Sequence, residues 1–417
     1  MKVLQISTVC GSGSVGRITV DIYHTLEKQG DDCRIAYGRR TAPKGIHAFC
    51  FGSPVSMGIH VLSTFFKGEH GFASASATRK LIRKIEEWNP DVIQLHNIHG
   101  FILQTELLFD YLKKEGKPVV WTLHDCWPYT GHCAFYDYNN CGQWRDGCKD
   151  CKEYRNTYPY ALFKNNTANN YKRKKAAFTG VANLTIVTPS RWLADEVKQS
   201  FLKDYPVQVI PNGIDQMIFR PTENDLRKKL GLEHRFVILG VANVWERRKG
   251  LSYFCELAKK LPEDCKIILI GLNEKQIREL PEEIIGITRT ENAGELAGYY
   301  SMADVFVNAT LEDNFPTTNL EALSCGTPVI TFETGGSPES LDATCGRVVR
   351  KGDAEALLQA ILAEREHPMR KEDCLTRAVQ YEKNDRFMEY AVLYHRLWGS
   401  GRIDEYISKS IGSNHYL

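Results

Sequence analysis

The stretch "LEDNFPTTNLEALSCGTPVI", residues 311–330, predicts the fold of this chain most directly. Its second half is typical of a helix that runs into a short buried strand, which is the repeating unit of a parallel α/β sheet. Pro316 and the two threonines after it indicate a loop that closes onto the helix N-terminus, where backbone N–H groups attract anions. Asp313 before the helix and Glu321 within it suit neutral hydroxyls. An anion site beside a hydroxyl site indicates a nucleotide ligand.

The same alternation of strand and helix runs through most of the sequence. Predicted strands are KVLQIST, CRIAYG, DVIQLHN, PVVWTLHD, NLTIVTPS and VQVIPNGID in the first half, and RFVILGVAN, KIILIG, IIGITR, DVFVNAT and PVITF in the second. Amphipathic segments between them predict helices, and from about Glu355 the chain is predicted to be helical to near Trp398. The pattern predicts an α/β fold of two Rossmann-like, doubly wound domains that face a central cleft.

Length and pattern together predict the domain limits. At 417 residues the chain is too long for one ordinary core, and two domains of roughly 200 residues each are expected. We predict an N-terminal domain over residues 1–215, with a cysteine-rich insert at about 126–160, and a second domain over residues 216–385. Residues 386–417 are predicted to form a final helix and tail that return to the first domain.

Composition excludes several classes of protein. Hydrophobic residues at 43% and charged residues at 25% are ordinary globular values. The formal net charge of +2 gives no overall support for binding nucleic acid. The first residues read as a strand rather than a signal peptide, and no window approaches the roughly 20 apolar residues of a membrane span. We therefore expect a cytoplasmic protein whose 13 scattered cysteines are reduced.

Polar groups cluster at the predicted carboxyl ends of strands, where parallel sheets bind ligands. His96, His124 and Asn212 follow strands of the first half, and Asp313 follows a strand of the second. In WERRKG, residues 245–250, three cations also follow a strand. These cations suit a diphosphate, and the alternative is a solvated turn.

The first predicted strand is followed by GSGSVG, residues 11–16, which formally matches a dinucleotide-binding motif. A nicotinamide cofactor is disfavoured because residues 7–10 separate the strand from the first glycine and no acidic residue ends the second strand. Two interpretations remain open, namely a cradle for a phosphate or sugar that includes Gly13 and Gly16, and a tight turn. Arg17 at the helix start favours the cradle.

Four motifs in this order and spacing carry a resemblance to a known family: VIPNGID, RRKG, ADVFVNATLEDNFPTTNLEALSCGTPVI and TGGSPE. They resemble the retaining glycosyltransferases of the GT-B fold, in the glycogen-synthase-like family, and the resemblance covers nearly the whole chain. WTLHDCWPYTGHC, residues 121–133, is similar to the narrower colanic-acid and capsular polysaccharide type. The resemblance implies transfer of a sugar, with retention, from a nucleotide diphosphate to a glycan or lipid-linked acceptor, without a catalytic cofactor.

The resemblance also implies roles for individual residues. Asp313 and Glu321 match the acidic pair E-x7-E, in which the second member holds the ribose hydroxyls. Arg248 and Lys249 would hold the diphosphate, and His124 would lie beside the donor sugar. Further donor contacts are expected from Asn212, Gly213, Phe315, Pro316, Thr317, Thr318 and Asn319, and acceptor or phosphate contacts from Gly13, Gly16, Arg17 and His96.

Some alternatives stay open at this point. The family has Gly-Arg just after the strand where this chain has Ala242 and Asn243, so the arginine that neutralises the leaving group is not assigned. A nucleotide-sugar epimerase or hydrolase could share both domains, and it would turn over the donor without an acceptor. A non-catalytic sugar-binding protein would lack the charges of Lys249, Asp313 and Glu321, so their presence argues against it. A glycosidase is disfavoured, because it needs two carboxylates that flank one bond, whereas Glu321 is expected inside a helix and facing a ribose.

One irregular segment, rich in tyrosine and glycine, holds four cysteines: Cys133, Cys141, Cys148 and Cys151. The last two form a C-x2-C pair, and four thiolates close the tetrahedral shell of a structural zinc ion. The spacing is not that of a standard zinc ribbon, so a pair without metal is an alternative. Cys126 and His132 are spare ligand candidates.

Two runs combine basic and aromatic residues, STFFKGEHGF at 63–72 and YKRKKAAF at 171–178. Such runs are usually solvated surfaces. With a lipid-linked acceptor they could instead contact the anionic inner leaflet, where each nearby cation contributes about 1 kcal/mol. Peripheral contact with the cytoplasmic membrane is therefore a further expectation.

Overall fold

The computed structural model describes residues 1–399, which form two compact units. The first unit contains Met1–Pro211 together with residues 384–399, and the second is Asn212–Lys383. The sequence predicts these divisions at residues 215 and 385. The predicted tail beyond residue 399 lies outside the described residues.

The first unit is built on a sheet of seven strands in the order β3-β2-β1-β4-β5-β6-β7. These are β1 (Lys2–Ser7), β2 (Asp32–Tyr37), β3 (Ala48–Cys50), β4 (Val92–Leu95), β5 (Val119–Thr122), β6 (Leu184–Thr188) and β7 (Val207–Val209). Every neighbouring pair is parallel. The central strands β4 and β5 are buried throughout, as expected for a parallel sheet covered on both faces.

Helices of the first unit before the domain division are α1 (Gly13–Lys28), α2 (Pro54–Lys67), α3 (Ala75–Trp88), α4 (Thr105–Glu115), α5 (Thr167–Phe178) and α6 (Arg191–Lys198). The sequence pattern did not predict α2 or α5. The run YKRKKAAF lies wholly within α5. Its interpretation as a basic membrane surface is wrong for Lys174, which is buried, and Arg173 donates hydrogen bonds to Glu106.

The second unit has a six-stranded parallel sheet in the order β10-β9-β8-β11-β12-β13. Its strands are β8 (Phe236–Val241), β9 (Cys265–Ile270), β10 (Ile284–Ile287), β11 (Val305–Asn308), β12 (Val329–Phe332) and β13 (Gly346–Val349). Its helices are α7 (Leu226–Lys229), α8 (Leu251–Ala258), α9 (Glu274–Arg278), α10 (Ala293–Met302), α11 (Thr317–Ser324), α12 (Ala354–Glu366) and α13 (Lys371–Val379). Two doubly wound sheets confirm the predicted α/β class.

The prediction of continuous helix from Glu355 to Trp398 is wrong, because three separate helices fill this span. After α12 and α13 the chain forms α14 (Lys383–Trp398). The first break has a clear cause in Pro368, which has no backbone N–H and disfavours helical geometry in the residue before it.

From Asn384 onward α14 packs on the sheet of the first unit. Its buried face joins a core cluster with residues of β1, β2, β4 and α1. Tyr394 donates a hydrogen bond to Gln94 Oε1 at 2.9 Å, and a ring nitrogen of His395 lies 2.9 Å from Asp31 Oδ2. The end of the described chain is therefore anchored to the first sheet.

None of the helices within residues 1–399 is long and apolar enough to cross a membrane. The helices α1 and α14 have 16 residues each. A spanning helix needs about 20 residues that are mostly apolar.

Candidate functional site

An ion pair between two strand ends forms the centre of the candidate site in the second unit. Lys249 ends a short 3-10 turn that follows β8, and Asp313 follows β11. These two strands are parallel neighbours, so their carboxyl ends meet at the same edge of the sheet. The ammonium of Lys249 donates a hydrogen bond to Asp313 Oδ2, and both side chains are 20% exposed. A ligand can therefore reach this pair.

Two glycines allow the loops around the ion pair to approach one another. Gly250 has a φ of 76°, and a Cβ atom there would lie 2.0 Å from the carbonyl oxygen of Ala309. Gly335 has a φ of 51°, and a Cβ atom there would lie 1.9 Å from the carbonyl oxygen of Asp313. Both distances are far below contact, and both φ values favour glycine. The backbone around the ion pair is thus closely packed and fixed.

Arg248 is held next to the same carboxylate. Its Nη1 atom donates to the carbonyl oxygen of Glu312 at 3.1 Å, and its own carbonyl oxygen accepts from Leu311 N at 2.7 Å. Arg247, by contrast, is exposed. The structure therefore separates the three cations of this turn, with Arg248 and Lys249 turned toward the Asp313 loop.

The charges of this group fix the protonation state of its carboxylate. Burial by itself raises the pKa of Asp313, but the charges of Lys249 and Arg248 outweigh burial and hold that pKa below its ordinary value. Burial, together with Arg248, lowers the pKa of Lys249, and Asp313 opposes this shift. At neutral pH the carboxylate is therefore ionised, with two cations near it.

Helix α11 supplies the second part of the site. No side chain caps its N-terminus at Pro316, and Thr317 and Thr318 at its start are half-buried. One turn further along, Glu321 is 5% exposed and accepts a hydrogen bond from Tyr300 at 2.9 Å. Burial and the neighbouring Glu321 raise the pKa of Tyr300 well above its ordinary value, so this phenol remains a donor.

Other predicted donor residues have partners inside the protein. The amide of Asn319 accepts from Asn308 at 2.8 Å and donates to Ser337 Oγ and Ser340 Oγ at 3.0 Å each. Asn212 donates to the carbonyl oxygen of the buried Phe315 at 3.0 Å. These contacts hold the loop before α11 and the helix itself in place.

In the first unit, a chain of hydrogen bonds fixes the state of His124. Gln5 donates through Nε2 to the carbonyl oxygen of Thr19 at 3.0 Å, so its Oε1 atom accepts from His96 Nε2, 3.0 Å away. Burial holds the pKa of His96 well below its ordinary value, so its Nδ1 atom carries no proton. It accepts from His124 Nε2 at 3.1 Å.

This chain leaves a lone pair on the other nitrogen of His124. Burial lowers the pKa of the half-buried His124 to about 4, so the ring is neutral at neutral pH. With the proton on Nε2, the Nδ1 atom is an acceptor. Sequence reasoning missed Gln5, because a glutamine inside a buried strand gives no signal except that it is polar.

Two loops of the first unit, the one with His99 and the glycine segment 11–16, are held by hydrogen bonds. His99 lies with Nε2 at 2.7 Å from Asp125 Oδ2, and this pairing favours a role in holding the loop. At the start of α1, Gly11 N donates to the carbonyl oxygen of Gly16 at 2.9 Å, and this closed turn is compatible with both interpretations of the glycine segment. Gly13 and Arg17 are exposed in this region. The sheet order brings β1 beside β4, so this loop and His96 lie at one sheet edge.

The four cysteines of the irregular segment line one small cavity: Cys133, Cys141, Cys148 and Cys151. Within residues 1–399 none of the four is placed in a disulfide bond. Within residues 1–399, no group of three or more His, Cys, Asp or Glu side chains is arranged as a metal site. The segment thus places the predicted ligands together without placing their side chains in a ligand geometry.

Comparison with known families separates the chain into the same two parts. Residues 15–216 match the family described as Glycosyltransferase Family 4, and residues 235–364 match the family described as Glycosyl transferases group 1. The first match lies mainly in the first unit and the second lies within the second unit.

Two curated relatives with similar sequences are named as glycosyltransferases. The chain is 26% identical over 294 residues to a putative colanic acid biosynthesis glycosyl transferase, WcaC, of Escherichia coli, covering 65% of this chain and 66% of that protein. It is 30% identical over 183 residues to D-inositol 3-phosphate glycosyltransferase of Corynebacterium jeikeium, covering 39% and 43%. The chain thus spans from under half to about two thirds of these relatives.

Solved structures with this fold cover almost the whole chain. Sucrose-phosphate synthase from Thermosynechococcus elongatus has a TM-score of 0.69 at 15% identity, covering 96% of this chain and 99% of that one. Anabaena HepE in complex with UDP-glucose has a TM-score of 0.64 at 16% identity, covering 94% and 98%. Fold and family matches together support a group 1 glycosyltransferase of the GT-B fold.

Proposed function

We propose that this chain transfers a sugar, with retention, from a nucleoside diphosphate sugar to a glycan or lipid-linked acceptor in the synthesis of a polysaccharide. The observation that carries the proposal is the Lys249–Asp313 pair, with Arg248 beside it and the start of α11 on the same loop. Two relatives agree with this assignment, since HepE was solved with UDP-glucose and WcaC is named as a colanic acid enzyme.

The donor diphosphate suits the two fixed cations. Lys249 is bonded to Asp313 and is one-fifth exposed, so an incoming phosphate can share its ammonium. The N–H groups at the start of α11 offer a further anion site. Glu321, oriented by Tyr300, would then accept hydrogen bonds from the ribose. We assign Arg248 as the arginine that neutralises the leaving group, because it is turned toward the Asp313 loop whereas Arg247 is exposed.

The reaction breaks the bond between the anomeric carbon and a diphosphate oxygen. The acceptor hydroxyl oxygen bonds to the same face of that carbon, and its proton passes to an oxygen of the leaving phosphate. Negative charge grows on the diphosphate as the bond breaks, so cations fixed in advance stabilise the transition state more than the ground state. Asp313 keeps Lys249 in position and disperses positive charge on the sugar.

His124 is assigned to a hydroxyl of the sugar substrate. Its Nδ1 lone pair can accept a hydrogen bond from a sugar hydroxyl, because Gln5 and His96 fix the proton on Nε2. A neutral ring suits this task better than a charged one, because imidazolium has no acceptor. The role needs no proton transfer to or from the histidine.

We also propose that the first unit touches the inner leaflet through one face of α2. Val55, Ile59, Leu62 and Phe66 are each more than half exposed and recur at helical spacing. Phe66 stacks on the exposed Phe163 with ring centres 4.9 Å apart. Exposed apolar patches of this kind mark interaction sites, and the exposed residues 67 and 164, both lysines, favour an anionic lipid surface.

A thermal-shift screen across UDP, GDP, ADP and dTDP sugars tests the donor. A cognate donor at a hundredfold excess over its dissociation constant stabilises the protein by about 2.7 kcal/mol. The selected donor is then incubated with glycan and lipid-linked acceptors, and the anomeric configuration of the product is read by NMR. Transfer with retention supports the proposal. Epimerised or hydrolysed donor without any acceptor product would instead establish the epimerase or hydrolase alternative.

A further inference from the structure

The cysteine-lined cavity in the first unit is not used by the proposed reaction. Its free volume is about 20 Å³, which is enough for about one atom-sized particle, because a single water needs roughly 10 to 15 Å³. Trp144 and Tyr136 also line it. A small, mostly closed space with four thiols around it is a suitable size for a single ion.

Backbone N–H groups point at two of these sulfur atoms. Gly131 N donates to Cys148 Sγ at 3.2 Å, and the N–H groups of Glu153 and Tyr154 donate to the sulfur of Cys151. Such hydrogen bonds suit a sulfur ligand of a metal, and they oppose burial, which still raises the pKa of both thiols while no metal is bound. The C-x2-C pair thus has supporting contacts around both of its sulfur atoms.

The backbone is unusual at Cys148 and at Gly131, which donates to the sulfur of Cys148. Cys148 has a φ of 50°, a conformation that few residues other than glycine adopt. A Cβ atom at Gly131 would lie 2.4 Å from the carbonyl oxygen of Thr167 and 2.7 Å from Cys148 Cβ. Only glycine lets this backbone come close enough to donate to the sulfur. Strained residues of this kind persist where surrounding structure or function holds them.

A buried lysine lies near two of these sulfur atoms. Lys174 on α5 is 1% exposed and donates to the carbonyl oxygens of Trp127 at 2.6 Å and Thr130 at 3.1 Å. Its ammonium also interacts with Cys133 and Cys148. Four thiolates around one divalent ion form a doubly negative complex. Burial lowers the pKa of Lys174 well below its ordinary value, and a doubly negative complex beside it would favour the charged form, which would offset part of the charge of the complex.

We propose that Cys133, Cys141, Cys148 and Cys151 hold one structural zinc ion that orders the segment between β5 and α5. In the described part of the chain, residues 1–399, the four thiols are not arranged as metal ligands. Zinc binding therefore requires their side chains to turn toward the cavity that they share. A closed shell of four thiolates leaves no position for water, so this ion would have no part in catalysis. The proposal is independent of the proposed transferase function.

Metal analysis of the wild-type protein, purified without chelators, tests the proposal. We expect about one zinc per chain and an X-ray absorption spectrum with four sulfur neighbours at about 2.3 Å. Cys148→Ser should lose most of the zinc, whereas Cys50→Ser, a half-buried cysteine elsewhere in the same unit, should retain it. If Cys148→Ser fails to fold, the wild-type measurements decide. Metal-free protein with all thiols titratable, or with a disulfide among these four, would overturn the proposal.

Discussion

The two units share a strand order but present opposite chemistry at their strand ends. In each sheet the first strand, β1 or β8, lies between the second strand and the fourth of its own unit. In the first unit the groups that follow β4 and β5 include His96 and His124, which are neutral because burial lowers their pKa values. In the second unit the groups that follow β8 and β11 include the charged Lys249 and Asp313. Under the proposed function, the side chains at the strand ends, more than the shared topology, would distinguish the ligands of the two units.

This contrast has a physical basis. A neutral histidine can accept or donate one hydrogen bond to a sugar hydroxyl without repelling it or demanding a counterion. Fixed cations are needed where charge develops, as on a departing diphosphate. We therefore expect substitutions in the second unit to affect donor binding and turnover, and substitutions in the first to affect sugar positioning and acid stability.

Removing a cation from the second unit should have the largest effect. Lys249→Ala and Arg248→Ala should each lower the rate constant for donor turnover by about 100- to 1000-fold, as for loss of one group that stabilises a developing anion. Arg247→Ala is the matched control, because that side chain is exposed, and it should change the rate less than about 3-fold. Similar small effects in all three variants would show that the turn is merely solvated.

Acid should destabilise the first unit before the second. Burial lowers the pKa values of His60, His124 and His132 to about 4, against an ordinary value near 6.5. Between these values the unfolded chain binds more protons, so this stability is complete above about pH 6.5 and is lost as pH falls toward 4. A histidine whose pKa is one pH unit lower in the folded than in the unfolded chain contributes about 1.4 kcal/mol at neutral pH.

Hydrogen exchange measured from pH 7 to pH 4.5 can assign this loss to one unit. We expect the backbone of residues 1–211 to lose protection first, and we expect His60→Gln to make the loss less steep. Equal acid sensitivity in residues 212–383 would remove the contrast between the two units.

Glu321→Gln should weaken donor binding without a general loss of stability. Hydrogen bonds to a carboxylate contribute about 1.5 to 3 kcal/mol each, so we expect a loss of about 10- to 100-fold in affinity by calorimetry. Glu333→Gln is the control in the same unit, because Glu333 is exposed. An unchanged dissociation constant for Glu321→Gln would remove the ribose assignment.

Gln5→Met should change the tautomer of His124 although Gln5 acts on it only through His96. The substitution removes the acceptor that fixes the proton of His96, so nitrogen NMR of labelled protein should show a mixture of His124 tautomers. Turnover should fall about 10-fold, which is the lower end of the loss of activity seen when a residue that orients a histidine is removed. Gln29→Met, at the end of α1, should change neither. Unaltered His124 spectra in Gln5→Met would contradict the hydrogen-bond chain.

Membrane contact gives the smallest expected change. Phe66→Ser should reduce co-sedimentation with vesicles that contain phosphatidylglycerol by about 3-fold, because only part of an interfacial side chain is buried in lipid. Val348→Ser, an exposed apolar position in the second unit, is the control. Binding that survives Phe66→Ser, or that is equal on neutral vesicles, would argue against the α2 surface.

Much of the fold could be predicted from sequence because its signal is local. Apolar strands and amphipathic helices alternate along the chain, and the strand-end rule places Lys249 near Asp313 from the sequence alone. Other features depend on tertiary contacts. Helix α2 was not predicted, because its apolar residues face outward. Lys174 was predicted to be solvated, because the sequence of a basic run does not show which of its lysines is buried. Pro368 is a local signal for a helix break, and the prediction of one long helix did not take it into account.

Nucleoside diphosphate binding tests the central claim most directly, because the claim assigns the diphosphate to the second unit rather than to the glycine loop of the first. Calorimetry with the diphosphate selected by the thermal screen would compare wild type, Arg248→Ala and Arg17→Ala. We predict that Arg248→Ala weakens binding at least about 10-fold, since charged hydrogen bonds contribute roughly 1.5 to 3 kcal/mol, and that Arg17→Ala leaves it unchanged. Loss of binding in Arg17→Ala together with full affinity in Arg248→Ala would contradict the account.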